Sequence, residues 1–208
     1  GQSPQYKDFE VEAYRTGSDP VRYPNTNWWD ELIKPVSTQH KYGVTLNGGN
    51  DRVTYFVSVN GQMQDGIYHK SATDYNQVNV RSNVDVQVTK SFKIGFDISA
   101  RQQNKNYSAF PGKDYGIFYQ TLRAFPTATA YYPNGLLRWG SNPVALVQDI
   151  TGYDKTKVNT INTTITAKWD LDFITKGLSI EGHAAYDLVN SAQKQWQTPW
   201  DGYDYNEV

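Results

Sequence analysis

The stretch from Tyr75 to Arg101, YNQVNVRSNVDVQVTKSFKIGFDISAR, limits most sharply what this chain can fold into. Val78, Val80, Val84, Val86 and Val88 alternate with Asn79, Arg81, Asn83, Asp85 and Gln87. After Thr89, Lys90 and Ser91 the alternation resumes, with Phe92, Ile94, Phe96, Ile98 and Ala100 set against Lys93, Gly95, Asp97 and Ser99. Successive side chains of a strand point to opposite faces, so a period of two predicts strands. A three-residue turn at Thr89 to Ser91 pairs Val88 with Phe92, Val86 with Ile94 and Val84 with Phe96. It also sets Arg81 opposite Ser99, Asn83 opposite Asp97 and Gln87 opposite Lys93. Every apolar residue then lies on one face of a single antiparallel hairpin. Each strand runs about ten residues, beyond the usual ~5–6 and close to the ~9–11 that cross a bilayer as a tilted β-strand. Either lipid or a second sheet must cover that apolar face.

Two further hairpins carry the same pattern. In the first, Tyr42, Val44 and Leu46 lead into Asn47-Gly48-Gly49-Asn50-Asp51, after which Val53, Tyr55, Val57 and Val59 continue on the same face. Gly49-Asn50 fits the centre of a primed hairpin turn, a register that pairs Leu46 with Val53 and Val44 with Tyr55 and puts Phe56 opposite Gly43. In the last, Ile161, Thr163, Ile165, Ala167, Trp169 and Leu171 precede a short reversal at Asp172 to Gly177, followed by Leu178, Ile180, Gly182, Ala184, Tyr186 and Leu188.

The segments between hairpins read as long, partly helical loops. Asp8 to Arg15 and Tyr115 to Phe125 have helical spacing, the latter stopped by Pro126. Thr26 or Asn27 caps a brief helix that ends by Pro35. Gly61 to Thr73 reads as loop with a turn at Asp65-Gly66, Gln103 to Lys157 as a long connection with a turn at Tyr131 to Gly135, and Gln193 to Val208 as an aromatic, acidic loop. The reversals near Gly49, Thr89 and Asp172 are short, and the other connections are long. In an up-and-down meander these two sets lie at opposite ends, the pattern of bacterial outer-membrane barrels.

Composition narrows the function classes. A formal net charge of -1 without a Lys/Arg cluster gives no nucleic-acid surface. The absence of cysteine excludes disulfide frameworks and thiolate metal sites. No apolar run approaches the ~18 residues of a membrane helix, and no secretory leader is visible. The mean hydropathy of -0.69 suits both a soluble protein and a barrel, which shows lipid only half of each strand. Aromatics make up 14% of residues, including 16 Tyr and 6 Trp, as interfacial girdles and sugar-contacting loops require. There is no G-x-S-x-G, no H-E-x-x-H, no Walker-type loop and no nucleophilic cysteine, so the chain reads as a non-enzyme. His40, His69 and His183 are isolated, and no metal or other cofactor is expected. Asp201, Asp204, Asn206 and Glu207 offer a calcium loop only crudely, without the spacing of a known motif.

Five ordered stretches resemble the middle of the barrel of SusC/RagA-type TonB-dependent outer-membrane transporters of Bacteroidetes. They are YPNTNWWDELIKP (Tyr23 to Pro35), GGNDRVTYFVSVNGQMQDGIY (Gly48 to Tyr68), YNQVNVRSNVDVQVTKSFKIGFDIS (Tyr75 to Ser99), NPVAL (Asn142 to Leu146) and KGLSIEGHAAYD (Lys176 to Asp187). Asn27 stands where the family more often has Asp. The resemblance implies an all-β barrel of about 22 strands with an internal plug, energised by TonB and capped by a SusD-like surface lipoprotein that helps capture glycans or peptides. Residues 1–208 then form one segment, about six strands and roughly a quarter of such a barrel. The chain begins at Gly1 without an initiator, and no plug, TonB-contacting segment or closing C-terminal strand is found in it.

On the barrel reading Val84, Val86, Phe92, Ile94 and Phe96 face lipid, and Arg81, Asn83, Asp85, Lys93 and Asp97 face the lumen. The loop aromatics Trp28, Trp29, Tyr131, Tyr132, Trp139, Trp196 and Trp200 either meet ligand or a partner, or hold the loops together by their own packing. Trp139, Tyr132 and Trp28 are the ligand candidates. The competing reading is a soluble β-sandwich, a carbohydrate-binding or adhesin module whose apolar face packs on a second sheet.

Overall fold

A computed structural model describes residues 4–204. Six strands form one antiparallel sheet in chain order: β1 Gln39–Gly49, β2 Val53–Asp65, β3 Asp74–Gln87, β4 Phe92–Ser108, β5 Gly152–Asp170 and β6 Ser179–Gln197. The helices α1 Asp8–Thr16, α2 Trp28–Leu32, α3 Lys113–Arg123 and α4 Pro143–Leu146, with a 3-10 turn at Asp149–Thr151, all lie in the long connections. None of them is long and apolar enough to cross a membrane.

The central hairpin has the register that alternation predicts. Val84 pairs with Phe96, Val86 with Ile94, Asn83 with Asp97, Arg81 with Ser99 and Gln87 with Lys93. The Val88 amide donates to the Phe92 carbonyl at 2.9 Å, closing the ladder beside the turn. Faces continue across the sheet in rows such as Val53, Val86, Ile94, Ala167 and Gly182. The last hairpin likewise sets Ile165 opposite Ala184 and Trp169 opposite Ile180.

The first hairpin departs from expectation. Leu46 pairs with Val57 and Val44 with Val59, while Phe56 faces Asn47 and Gly43 faces Asn60. The turn therefore centres on Asp51 and Arg52, beyond Gly49-Asn50. The Asn50 side-chain oxygen accepts the Arg52 and Val53 amides at 2.9 and 3.0 Å, and the Asn50 amide donates to the Val53 carbonyl at 2.7 Å. An Asx turn of this kind competes successfully with a glycine-centred one. The slip is four residues, an even number, so no side chain changes face. The glycines act instead as floors for aromatic rings. A Cβ on Gly48 would stand 2.7 Å from the Tyr55 hydroxyl, and one on Gly61 would collide with the Tyr42 ring.

Four strands outrun their apolar alternation. β2 extends through Gly61 to Asp65, β4 and β5 run on to Ser108 and back to Gly152, and β6 reaches Gln197, all expected as loop. On β4, β5 and β6 the apolar face loses its apolar character beyond Ala100, Ile161 and Leu188, giving way to Gln102, Asn159 and Asn190, while Val78 carries it one row further on β3. Backbone pairing continues there although hydrophobic patterning does not.

Among the described residues the sheet is a single layer. β1 and β6 are exposed along their whole length on both faces, and Val44 and Ile180 remain 74% and 61% exposed. No second sheet covers the apolar face, contrary to the sandwich reading. The buried apolar residues sit mainly in the loops: Trp28, Ala124, Ala128, Ala130 and Val144 make one cluster, and Leu32, Tyr68, Ile117 and Val147 a second. Asn50→Ala removes two turn hydrogen bonds and should lower stability by roughly 1–3 kcal/mol, read as an earlier urea midpoint, and Gly49→Ala should destabilise as well, because its Cβ would stand 2.4 Å from the Val53 carbonyl oxygen and 2.7 Å from the Thr54 Cα.

Candidate functional site

The long connections gather at one end of the sheet, where they build a cap on its polar face. α2 starts because the Asn27 side chain accepts the Trp29 amide at 3.2 Å, and α4 because the Asn142 side chain accepts the Ala145 amide at 3.4 Å, with Pro143 in its first turn. α3 is clamped to the wall: Lys113 Nζ lies 3.3 Å from Asp154 on β5 and over the Tyr107 ring of β4. Asp154 is almost fully buried and also accepts the Gln193 amide of β6 at 2.8 Å. A charge pair with one buried partner and a second hydrogen bond holds far more firmly than an exposed pair.

The loop between β2 and β3 inserts Tyr68 into the cap. Its ring packs with Leu32, Ile117 and Val147, and its hydroxyl donates to Asp114 of α3 at 2.5 Å. The Lys34 amide donates to Ile67 and the His69 amide to Leu32, both at 2.8 Å, stitching this loop to the chain after α2.

Below the cap, the polar face is cross-linked. Arg81 donates to Asn83 at 3.0 Å, Asn83 to Asp97, and Lys93 to Asp85 at 3.0 Å. Further along the same face, Asn162 donates to Asp187 at 2.6 Å. Val84, Val86, Phe92, Ile94 and Phe96 occupy the opposite face. Sequence alternation thus separates the two residue sets cleanly.

A cleft of about 580 Å3 opens in the cap between the Tyr131 to Leu137 turn and the segment after β6. Tyr131, Trp200 and Tyr203 supply ring surfaces, with Lys70, Gln148 and Asp201 as polar groups. Lys70 Nζ stands 4.6 Å from the Tyr131 ring centroid, and the Tyr131 hydroxyl accepts the Gln148 amide at 2.6 Å. Lys70 holds a φ of 49°, in the left-handed region that non-glycine residues rarely adopt. Ring faces beside opposite charges suit a polar oligomer carrying sugar rings or planar amides.

The ligand candidates fare differently. Trp28 is 4% exposed inside a loop cluster, with its indole N–H donated to the Phe125 carbonyl at 2.9 Å, so it is a packing residue. Trp139 is 61% exposed, and its amide donates to Tyr203 at 3.0 Å, but neither it nor half-buried Tyr132 lines the cleft. Lys70 and Gln148 were not legible as site residues, because nothing in their local sequence announces that the loops bring them together. No group of three or more His, Asp or Glu side chains converges among the described residues. Of the crude calcium loop, Asp201 borders the cleft, and Asn206 and Glu207 lie outside the described residues.

Comparison with known proteins follows from this geometry. No protein-family profile matches the chain. It is 29% identical over 128 residues to TonB-dependent receptor P26 of Formosa agariphila, an alignment spanning 61% of this chain and 12% of the relative. It is 33% identical over 82 residues to TonB-dependent receptor P3 of the same organism, spanning 39% of this chain and 8% of the relative. In fold it is similar to the RagAB peptide importer in its closed-closed state, with a TM-score of 0.69 and 15% identity over 98% of this chain and 25% of the other. The open-open state gives a TM-score of 0.65 at 16% identity over the same shares. The chain thus spans a small part of the length of the curated relatives it matches.

Two outcomes test the cap. Trp28→Ala should cost about 3–5 kcal/mol of cap stability, seen as faster proteolysis within residues 109–151 while the strands stay protected. Burial, and then the Asp114 hydrogen bond, push the Tyr68 hydroxyl well above the usual tyrosine range. An unfolded tyrosine ionises near pH ~10, so the stabilisation from Tyr68 is complete below that pH and is lost as pH rises above it. Protease protection of the cap should fall above about pH 10, and Tyr68→Phe should flatten that dependence. By sequence the chain is similar to part of TonB-dependent receptors, and by fold it matches about a quarter of the RagAB importer chain.

Proposed function

We propose that this chain is part of the wall and outer cap of an outer-membrane nutrient importer, with the apolar face of the sheet against lipid and the polar face toward the lumen. The observation that carries this reading is a single-layer sheet whose strands alternate between two unlike faces, the apolar one bare of any second layer. A bilayer is the solvent that such a face fits, because backbone groups between neighbouring strands are paired and the belt rows are mainly apolar, with Ser82 and Thr163 as their polar members. Short turns then mark the periplasmic end and the cap marks the outside. Val84, Val86, Phe92, Ile94 and Phe96 are the lipid-facing residues, and Arg81, Asn83, Asp85, Lys93 and Asp97 line the wet interior.

The substrate is a polar oligomer, a glycan or a peptide, first met at the cap cleft and passed inward. Similarity to a peptide importer supports the peptide, and the ring-lined cleft accommodates either. A SusD-like lipoprotein closes over the cap, and TonB supplies the energy through parts of the transporter outside this segment. The chain performs no covalent chemistry.

Substitution in the full-length transporter tests the wall. Val84→Lys or Ile94→Lys should cost roughly 2–4 kcal/mol near the midplane, measured by refolding into lipid vesicles, while Asn83→Lys on the opposite face should change stability little. Equal costs on both faces would overturn the assignment. For the cleft, Tyr131→Ala with Trp200→Ala removes two ring contacts worth about 0.5–1.5 kcal/mol each. Affinity for a matched library of peptides and oligosaccharides should then drop roughly 5- to 150-fold for one of the two classes, identifying the substrate. Unchanged binding of both would exclude the cleft.

A further inference from the structure

The wall continues past the end of its apolar belt, and what it presents there is cationic. On the belt face, beyond Gln102, Asn159 and Asn190, comes the row Asn76, Asn104, Lys157 and Ala192, then Asp74, Asn106, Lys155 and Lys194, then Ser108, Tyr153 and Trp196. Lys155 and Lys194 are direct cross-strand partners, an arrangement that like charges disfavour. The acids in these rows are Asp74 and, on β2 opposite it, Asp65, both several strands from Lys194. Asn106 donates to the Asp74 oxygens at 2.9 and 2.8 Å and Asn76 donates to one at 2.9 Å, and the Thr38 hydroxyl donates to Asp65 at 2.5 Å. Among the described residues no carboxylate lies within ion-pair distance of Lys155, Lys157 or Lys194. The two partnered lysines instead bracket the Tyr153 ring, at 4.9 and 5.7 Å from its centroid. Tyr153 packs against Trp196 at 6.1 Å between centroids, and Trp196 is 55% exposed. Lysines and asparagines together rim a surface cavity of about 470 Å3.

This inference rests on the lipid-facing assignment of the belt. With a rise of ~3.3 Å per residue and a tilt of ~45°, Lys157 stands about 9 Å and Lys155 and Lys194 about 14 Å above the last apolar row along the membrane normal. That is the depth of headgroups, and long lysine stems can lean toward it. We propose that this patch binds a phosphorylated glycolipid of the outward-facing leaflet, with phosphate held by Lys155, Lys157 and Lys194 and a sugar ring stacked on Trp196. Charge fixes the phosphate, which relieves the repulsion between Lys155 and Lys194. The exposed Trp196 ring one row further out, backed by half-buried Tyr153, fixes the sugar. Cation and ring lie in the order in which such a lipid displays its groups away from the acyl chains.

The test uses the full-length transporter, purified in a non-ionic detergent and stripped of co-purified lipid. Diphosphoryl lipid A, phosphatidylcholine and inorganic phosphate are titrated separately, with bound species read by native mass spectrometry. Wild type should retain lipid A and not phosphatidylcholine, and inorganic phosphate should not displace it. Each near-surface lysine strengthens attraction to an anionic headgroup about fivefold, so the combined variant Lys155→Gln, Lys157→Gln and Lys194→Gln should bind lipid A roughly 100-fold more weakly. Heat-modifiable gel mobility confirms that the variant keeps its barrel, and Trp196→Ala alone should weaken lipid A binding with all three lysines present. Equal lipid A retention by wild type and triple variant overturns the proposal. So does displacement by inorganic phosphate, which marks a free-anion site, or lysine-dependent capture of an acidic protein with no lipid A bound. A wild type that forms no heat-modifiable barrel overturns the wall assignment instead, and that is seen before any lipid is added.

Discussion

The cross-strand hydrogen-bond ladder is the constraint on which everything else in this chain depends. A single-layer sheet has no core beneath it, so the strands are held by backbone pairing and by side chains meeting neighbours on the same face. Pairing is continuous from β1 to β6 and outlasts the apolar pattern at one end. This continuity lets the two faces diverge in chemistry, because neither needs to satisfy the backbone. One face can be apolar enough for lipid while the other carries Arg81, Asn83, Asp97 and Lys93 in hydrogen-bonded sets.

Freed from the sheet, the task of burying apolar groups passes to the loops. Trp28, Leu32, Tyr68, Ile117, Val144 and Val147 form clusters that would be called a core in a soluble domain. The clusters are small, so polar ties such as Lys113 to Asp154 and Tyr68 to Asp114 fix the cap on the wall. A cap held in this way keeps a cleft open beside it, with Tyr131 fixed by Gln148 and facing Lys70. Rigid support under an exposed recognition surface is the usual economy of loop-borne sites.

The residues that sequence pattern read well are those whose environment is set locally. The pairing of Val84 with Phe96 followed from alternation and a short turn, and α2 followed from Asn27 before an apolar pair. The first hairpin slipped by four residues because two turn chemistries compete in Gly48-Gly49-Asn50-Asp51, and the Asn50 side chain decides between them. The ends of β2, β4, β5 and β6 were missed because alternation reports what surrounds a strand rather than whether it is a strand. Trp28 looked like a ligand contact because an aromatic in a loop is ambiguous until its neighbours are known. The cleft was invisible for the same reason, since Lys70, Tyr131 and Trp200 come from three separate connections.

By itself, then, the sequence determined the alternation of faces, the order of the hairpins and the asymmetry between short turns and long loops, because each of these is written within about ten consecutive residues. Only the tertiary structure decided that, among the described residues, the sheet is one layer, that the loops carry their own cores and that Lys155, Lys157 and Lys194 come together with no carboxylate within ion-pair distance. These depend on residues far apart in the chain meeting across strands or loops. Their energies come from contacts that no local pattern encodes.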